Sequence, residues 1–226
     1  MTAAFPPPSL AARPILFSSP MVRALLAGRK TQMRRILKPQ PDMAKIGHPC
    51  HPEPRGNRHW VWMARDNRPD YQYATADFNV PFEVGDRLWV RETWQTIALD
   101  AATTLCAYRA NCDGDRLTYA GDGSVEIIQI HKWRPAIFMP RVMSRLMLAI
   151  TDVRVQRLQD ISEADAKAEG VEAAIAGRSG DGPIYTWRTG FVGVWQAING
   201  NWLDNPWIVA LTFTVERRNI DAECTP

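Results

Sequence analysis

After a Gly85-Asp86 turn the chain reads Arg87-Leu88-Trp89-Val90-Arg91-Glu92-Thr93-Trp94, with Leu88 and Val90 on one side and Trp89 and Arg91 on the other. A two-residue period of this kind marks a half-buried strand, and it sets the terms for the rest of the chain. Further strands are expected at 14–17, 104–110, 145–157 and 206–217. Helical signals are few and short. Ser19-Pro20 before Val22, Leu25, Leu26 and Gly28 gives a helix with Ser19 as cap, Pro at the first position and Gly at the end. Asp160-Ile161-Ser162-Glu163 resembles a capping box, so a helix is expected over Ser162–Glu169 before Gly170 stops it. Phe191, Val194, Trp195 and Ile198 fall at i, i+3, i+4 and i+7 and predict one more amphipathic helix. Strands joined by a few short helices, without repeated strand-helix-strand units, point to an α+β chain. Within that class they favour a small mixed β-barrel with flanking short helices over a doubly wound sheet.

With 226 residues and 46% apolar side chains, the chain can bury a sizeable core. The expected organisation is a disordered N-terminal tail over 1–12, a single domain over 13–218 and a C-terminal tail over 219–226. Residues 42–80 are polar and nearly aperiodic apart from Trp60, Trp62, Tyr71 and Tyr73, and are expected to be an inserted loop, with room for a hairpin. No apolar run reaches about 18 residues and the first dozen residues lack a secretory pattern, so a cytoplasmic protein with no membrane partner is expected. Four cysteines without a CxxC pair argue against a disulfide scaffold. His48, Cys50, His51 and His59 lie close together, but their spacing matches no common zinc pattern, and no metal or cofactor is expected.

Charge is distributed unevenly. Residues 1–41 contain no Asp or Glu and seven basic side chains: Arg13, Arg23, Arg29, Lys30, Arg34, Arg35 and Lys38. A second stretch, His131–Arg157, carries Lys132, Arg134, Arg141, Arg145, Arg154 and Arg157 against Asp152 alone. Arginine dominates the basic residues, and its planar fork of donors suits phosphate. If the two stretches meet in space they form a phosphate-binding face, which points to nucleic acid or nucleotide.

Six ordered segments resemble the ASCH family of the PUA-like superfamily, in the version often found in phages and prophages. They are Ala27–Arg35 with Lys38–Pro41, Val84–Trp94, Tyr108–Ala110, Met139–Arg141 with Ser144-Arg145, Leu158–Ala166, and Asn205–Trp207. The resemblance implies a PUA-like β-barrel that binds or processes nucleic acid, often RNA or modified bases. Some small members look like amidohydrolases that remove the acetyl group from the exocyclic amine of cytidine, and one type has been described as a ribonuclease. Carried across, the amidohydrolase Lys falls on Lys30 and its Glu on Glu169, while Met33 stands where that pattern has Thr. A thioether cannot polarise a carbonyl as a hydroxyl does, leaving Thr31 or Thr93 to supply one.

Glu169 is odd on physical grounds, because the last turn of a helix disfavours an anion, and a basic partner would relieve it. Glu92 is the third catalytic candidate, as acid/base or as the acceptor that orients Lys30; an Arg–Glu pair at the rim is the structural alternative. Arg29, Thr31, Arg34, Arg35, Arg91, Tyr108, Arg141 and Arg145 are the candidate nucleic-acid contacts. Tyr108, with Trp94, is a candidate to stack on a base or to lie in the core. The expected cleft is formed by residues 23–38 and 131–145, with Lys30, Glu169 and Glu92 at its floor. The expected partner is RNA, single-stranded nucleic acid or a modified nucleoside. Three readings stay open: a hydrolase acting on an acylated cytidine or on RNA, a non-catalytic reader of RNA or a modified base, and a phage accessory interaction protein.

Overall fold

The computed structural model describes residues 12–42, 46, 50–56, 58–65, 72–99, 104–121, 124–179 and 182–221. The expected N-terminal tail, apart from Ala12, lies outside these residues, as do His48, Tyr71 and the last five residues of the expected C-terminal tail. In chain order the elements are β1 Arg13–Leu16, α1 Ser19–Leu26, β2 Gln32–Ile36, β3 Cys50–Gly56, β4 His59–Arg65, β5 Gln72–Asn79, β6 Arg87–Arg91, β7 Trp94–Ala98, β8 Thr104–Tyr108, β9 Arg116–Gly121, β10 Ser124–Gln129, β11 Met147–Arg157, α2 Glu163–Ala168, β12 Ala174–Ser179, β13 Gly182–Thr186, α3 Trp187–Asn199 and β14 Trp207–Glu216. The protein is α+β and strand-rich, as expected. Among the described residues the strands form open ladders and no closed barrel. None of the described helices is long and apolar enough to cross a membrane.

The chain divides into two compact units, one made of 1–29, 87–149 and 214–226, the other of 30–86 and 150–213. In the first unit β1 runs parallel to β6, which pairs antiparallel with the start of β11 through Met147–Ala149. Leu88, Trp89 and Val90 are all buried, so β6 is covered on both faces and not half-buried as its alternation suggested. Pairing with β1 and β11 satisfies both edges of the strand, and a strand covered on both faces carries apolar side chains on both, here Leu88 and Val90 on one and Trp89 on the other. Two hairpins, β7–β8 and β9–β10, also belong to this unit. Helix α1 is capped one residue earlier than expected, by the backbone of Ser18, and Pro20 sits in its first turn.

In the second unit β14 pairs antiparallel with β2 and neighbours β11. Within the segment expected to be an inserted loop with room for a hairpin, the described residues form more than one hairpin, a three-stranded antiparallel sheet β3-β4-β5. Its central strand carries Trp60, Val61, Trp62, Met63 and Ala64, all buried. A strand covered on both faces gives a continuous apolar run without alternation. Pro52 and Pro54 lie on the edge strand β3, where a missing N–H is tolerated. Trp62 stacks on Phe78 at 4.8 Å and meets Trp207 edge-on at 4.6 Å. A separate apolar cluster joins Leu158, Ile161, Ala166, Phe191, Trp195, Ile208 and Ala210. It takes Phe191 and Trp195 from the stripe of α3, while Val194 and Ile198 stay exposed.

Candidate functional site

The second unit holds a buried charge network built on β2 and the end of α2. Helix α2 starts at Ser162, whose Oγ accepts from the Asp165 N–H at 3.1 Å; Ser162, not Asp160, is the cap. The helix ends at Glu169, whose N–H reaches the Asp165 carbonyl at 3.0 Å, and Gly170 follows with φ +77°, a conformation that suits glycine. The backbone of Thr31 donates to the Ala168 carbonyl at 2.8 Å and Lys30 bridges Glu169, so the residues ahead of β2 run antiparallel to the helix end.

This backbone pairing sets the side chains. Lys30 Nζ lies 2.6 Å from Glu169 Oε2 and also donates to the Glu169 carbonyl oxygen at 3.0 Å. Arg34 Nη1 holds the other carboxylate oxygen, Oε1, at 2.9 Å. Lys30 and Glu169, 139 positions apart in sequence, are 2% and 8% exposed. The basic partner that the helix end calls for is therefore supplied twice. Gln32 accepts from Arg34 at 3.3 Å and donates to Asp165 at 3.0 Å. Arg154, the half-exposed member, donates to both oxygens of Asp165 at 3.0 and 3.4 Å. Burial raises the pKa of the Asp165 carboxyl, but hydrogen bonds from Arg154 and Gln32 and the charges of Arg154 and Arg34 outweigh it and hold it below the ordinary carboxylate value.

Alternation along the extended chain explains the membership. Lys30, Gln32 and Arg34 share one face, and their contacts with Glu169 and Asp165 fix it as the polar face. Met33 therefore points the other way, and it is buried. The position beside Lys30 on its own face belongs to Gln32, a residue the sequence analysis did not single out; strand periodicity from Lys30 was the signal for it. Asp165 and Arg154 were also missed as site residues, although a capped helix placing Asp165 one turn before Glu169 carries that information.

The remaining candidates fall elsewhere. Arg35 is exposed, and Thr31 is half-buried with both backbone groups bonded, its carbonyl to Phe213. Glu92 is in the first unit, 1% exposed, with its carboxylate taken bidentate by Arg145: Nε to Oε1 at 2.8 Å and Nη2 to Oε2 at 2.9 Å. The acceptor found on Lys30 is Glu169, and Glu92 forms the Arg–Glu pair. The Arg145 guanidinium also reaches Asn111 at 3.1 Å and lies over the Tyr108 ring at 3.9 Å. One face of Tyr108 is thus covered by a cation, and its hydroxyl donates to the Met143 carbonyl at 2.9 Å. Burial, followed by the neighbouring Cys106, pushes the Tyr108 hydroxyl well above the ordinary phenol value. Burial likewise raises the Cys106 and Cys112 thiols, which keeps both protonated and poor nucleophiles. Trp94 is buried, with Arg134 over its ring at 5.2 Å. The Arg91 guanidinium lies over Trp89 at 4.7 Å, Arg29 is exposed just after α1, and Arg141 is exposed with Asp221 on its guanidinium.

The two carboxylates differ in what they can do. An arginine does not give up a proton in proteins, whereas a lysine ammonium can, so Lys30–Glu169 is a pair between which a proton can move and Arg145–Glu92 is a fixed clamp. Among the described residues no group of three or more His, Cys, Asp or Glu side chains is placed to hold a metal; His48 lies outside them. No family model, no curated protein and no solved structure matches the chain.

Proposed function

We propose that the chain is an ASCH-type, PUA-like protein that binds RNA or a modified nucleoside and hydrolyses an N4-acylated cytidine at the Lys30–Glu169 pair. The observation that carries this reading is the 2.6 Å contact between Lys30 Nζ and Glu169 Oε2, which joins the two residues onto which the amidohydrolase pattern falls. Hydrolysis of such an amide needs a base for water, a cation for the oxyanion and a proton for the departing amine. Glu169 takes the proton from water as its oxygen attacks the acyl carbon. Lys30 faces the developing oxyanion and returns a proton to the exocyclic nitrogen as the C–N bond breaks, releasing acetate and cytidine. Arg34 holds the second oxygen of Glu169 and keeps the carboxylate oriented while its charge changes. Asp165 in turn holds Gln32 and Arg154, which lead from the buried pair towards solvent. The acid-poor, arginine-rich stretches of the sequence supply the affinity for phosphate.

A second reading, a non-catalytic reader of a modified base, is favoured by one observation. The residue beside Lys30 on the polar face is Gln32, which brings an amide and no hydroxyl. The two readings separate on incubation of N4-acetylcytidine with the wild-type protein and with Lys30→Met, followed by mass spectrometry. The hydrolase reading predicts cytidine from the wild type and none from the variant. Retention of an acetylated RNA without release of acetate assigns the reader.

A further inference from the structure

We infer that the ridge Lys132–Val142 is a docking surface for single-stranded nucleic acid, with Phe138 stacking on a base. This rests on the nucleic-acid reading of the chain and names a surface for it that lies wholly in the first unit. Large apolar side chains are normally covered, yet Ile137, Phe138 and Val142 are 57%, 70% and 72% exposed. They stand on two single-turn 3-10 helices, Ala136–Phe138 and Arg141–Met143, each introduced by a proline, Pro135 and Pro140.

The backbone beneath them is pinned. Arg134 and Trp94 exchange hydrogen bonds at 2.9 and 3.2 Å, and Gln95 donates to the Lys132 carbonyl at 2.8 Å. Met139 is fully buried between exposed Phe138 and Pro140. The Asn219 amide donates to the carbonyls of Arg141, Val142 and Ser144 at 3.0, 3.0 and 2.7 Å. A fixed backbone lowers the ordering cost of presenting an apolar side chain to a partner.

Charge selects the partner. No Asp or Glu occurs from residue 127 to 151, while Lys132, Arg134 and Arg141 are exposed on the ridge itself. Alternating cations and one exposed aromatic ring on a rigid support match a strand whose bases can splay outwards, where each base offers a π-face and each linkage a phosphate. Three apolar side chains on two single turns are not the continuous apolar helix face with which an interfacial helix enters a membrane. Arg141 already carries an anion: Nε lies 3.0 Å from both Asp221 carboxylate oxygens and Nη2 lies 2.6 Å from Oδ1. On docking, a phosphate takes the place of that carboxylate.

The test is anisotropy of a fluorescein-labelled single-stranded oligouridylate of about twelve nucleotides, within the span one binding surface covers. Wild type, Phe138→Ala, Phe138→Trp and Lys132→Gln are compared, with thermal unfolding to show that these exposed substitutions leave the fold intact. Loss of one stacking contact predicts that Phe138→Ala weakens binding by about tenfold or more, with Phe138→Trp at or above wild-type affinity. Lys132→Gln is expected to lower the slope of log affinity against log salt by about one. Equal affinity of wild type and Phe138→Ala overturns the inference, and so does the absence of any binding. Binding to phosphatidylserine vesicles that needs Phe138, without binding to the oligonucleotide, assigns the ridge to a membrane and overturns it as well. Phe138-dependent binding without turnover of N4-acetylcytidine leaves this inference standing and removes the hydrolase; turnover with Phe138-independent binding does the reverse.

Discussion

Two buried carboxylates in this protein meet cations in different ways. Glu92 gives both oxygens to a single guanidinium, that of Arg145, which is further held by Asn111 and by the ring of Tyr108. Glu169 divides its oxygens between Lys30 and Arg34. The first arrangement matches fork to fork and removes both partners from proton chemistry. The second leaves one transferable proton on Lys30, with a permanent cation holding the geometry. Carboxylates of near-equal burial thus sit in chemically different pairs, one faced by an arginine alone and the other by a lysine together with an arginine.

The comparison breaks first at Glu169. Glu169→Gln leaves two buried cations facing a neutral amide, and a loss of about 3–5 kcal/mol is expected from urea unfolding, as when one partner of a buried ion pair is removed. Restoring most of that stability by adding Lys30→Met identifies the uncompensated charge as the cause. Glu92→Gln is expected to lose less, about 2 kcal/mol, since Arg145 keeps partial contact with water and with Asn111. On the hydrolase reading its turnover of N4-acetylcytidine stays at the wild-type level.

Smaller effects sharpen the account of how α2 delivers Glu169. Ser162→Ala removes the cap and should cost about 1 kcal/mol. Asp165 supplies a pH signature. Its folded pKa lies below its unfolded value, so the unfolded chain takes up the proton first as pH falls. The stability it contributes is present above the unfolded value of about 3.9 and is lost as pH drops through the lower folded value. The acid limb of a melting-temperature profile should therefore be shallower in Asp165→Asn than in wild type. Met33→Leu is expected to change stability by less than about 1.5 kcal/mol and turnover not at all, since Met33 is buried on the strand face opposite Lys30.

Much of this site was legible in the sequence. Helix α2 is spelled by its cap Ser162 and by Gly170, and an anion at its end calls for a basic partner on the sequence alone. That Lys30 is the partner came from the resemblance, and the backbone bridge between Lys30 and Glu169 supplies the geometry. Gln32 was hidden because the pattern directs attention three residues past Lys30, whereas an extended chain returns to the same face at two and four. Glu92 drew attention as a charge in a strand, but nothing local shows that Arg145, 53 positions later, fills its carboxylate. The sheet over residues 50–79 escaped for two reasons: its central strand is apolar throughout, and its edge strand carries prolines that periodicity treats as breaks. The stripe of α3 misled in the opposite sense, since Phe191 and Trp195 enter the core while Val194 and Ile198 remain exposed.

The central claim is that a transferable proton on Lys30 distinguishes the Glu169 site from the Glu92 clamp. The most direct measurement is the rate of acetate release from N4-acetylcytidine by wild type, Lys30→Arg and Glu92→Gln. Lys30→Arg keeps the charge and the partner but fixes the proton, so the account predicts a loss of about a hundredfold or more in that variant, in line with the loss of a general acid. Glu92→Gln should turn over like wild type. Equal rates in wild type and Lys30→Arg, or no release by the wild type, would contradict the claim.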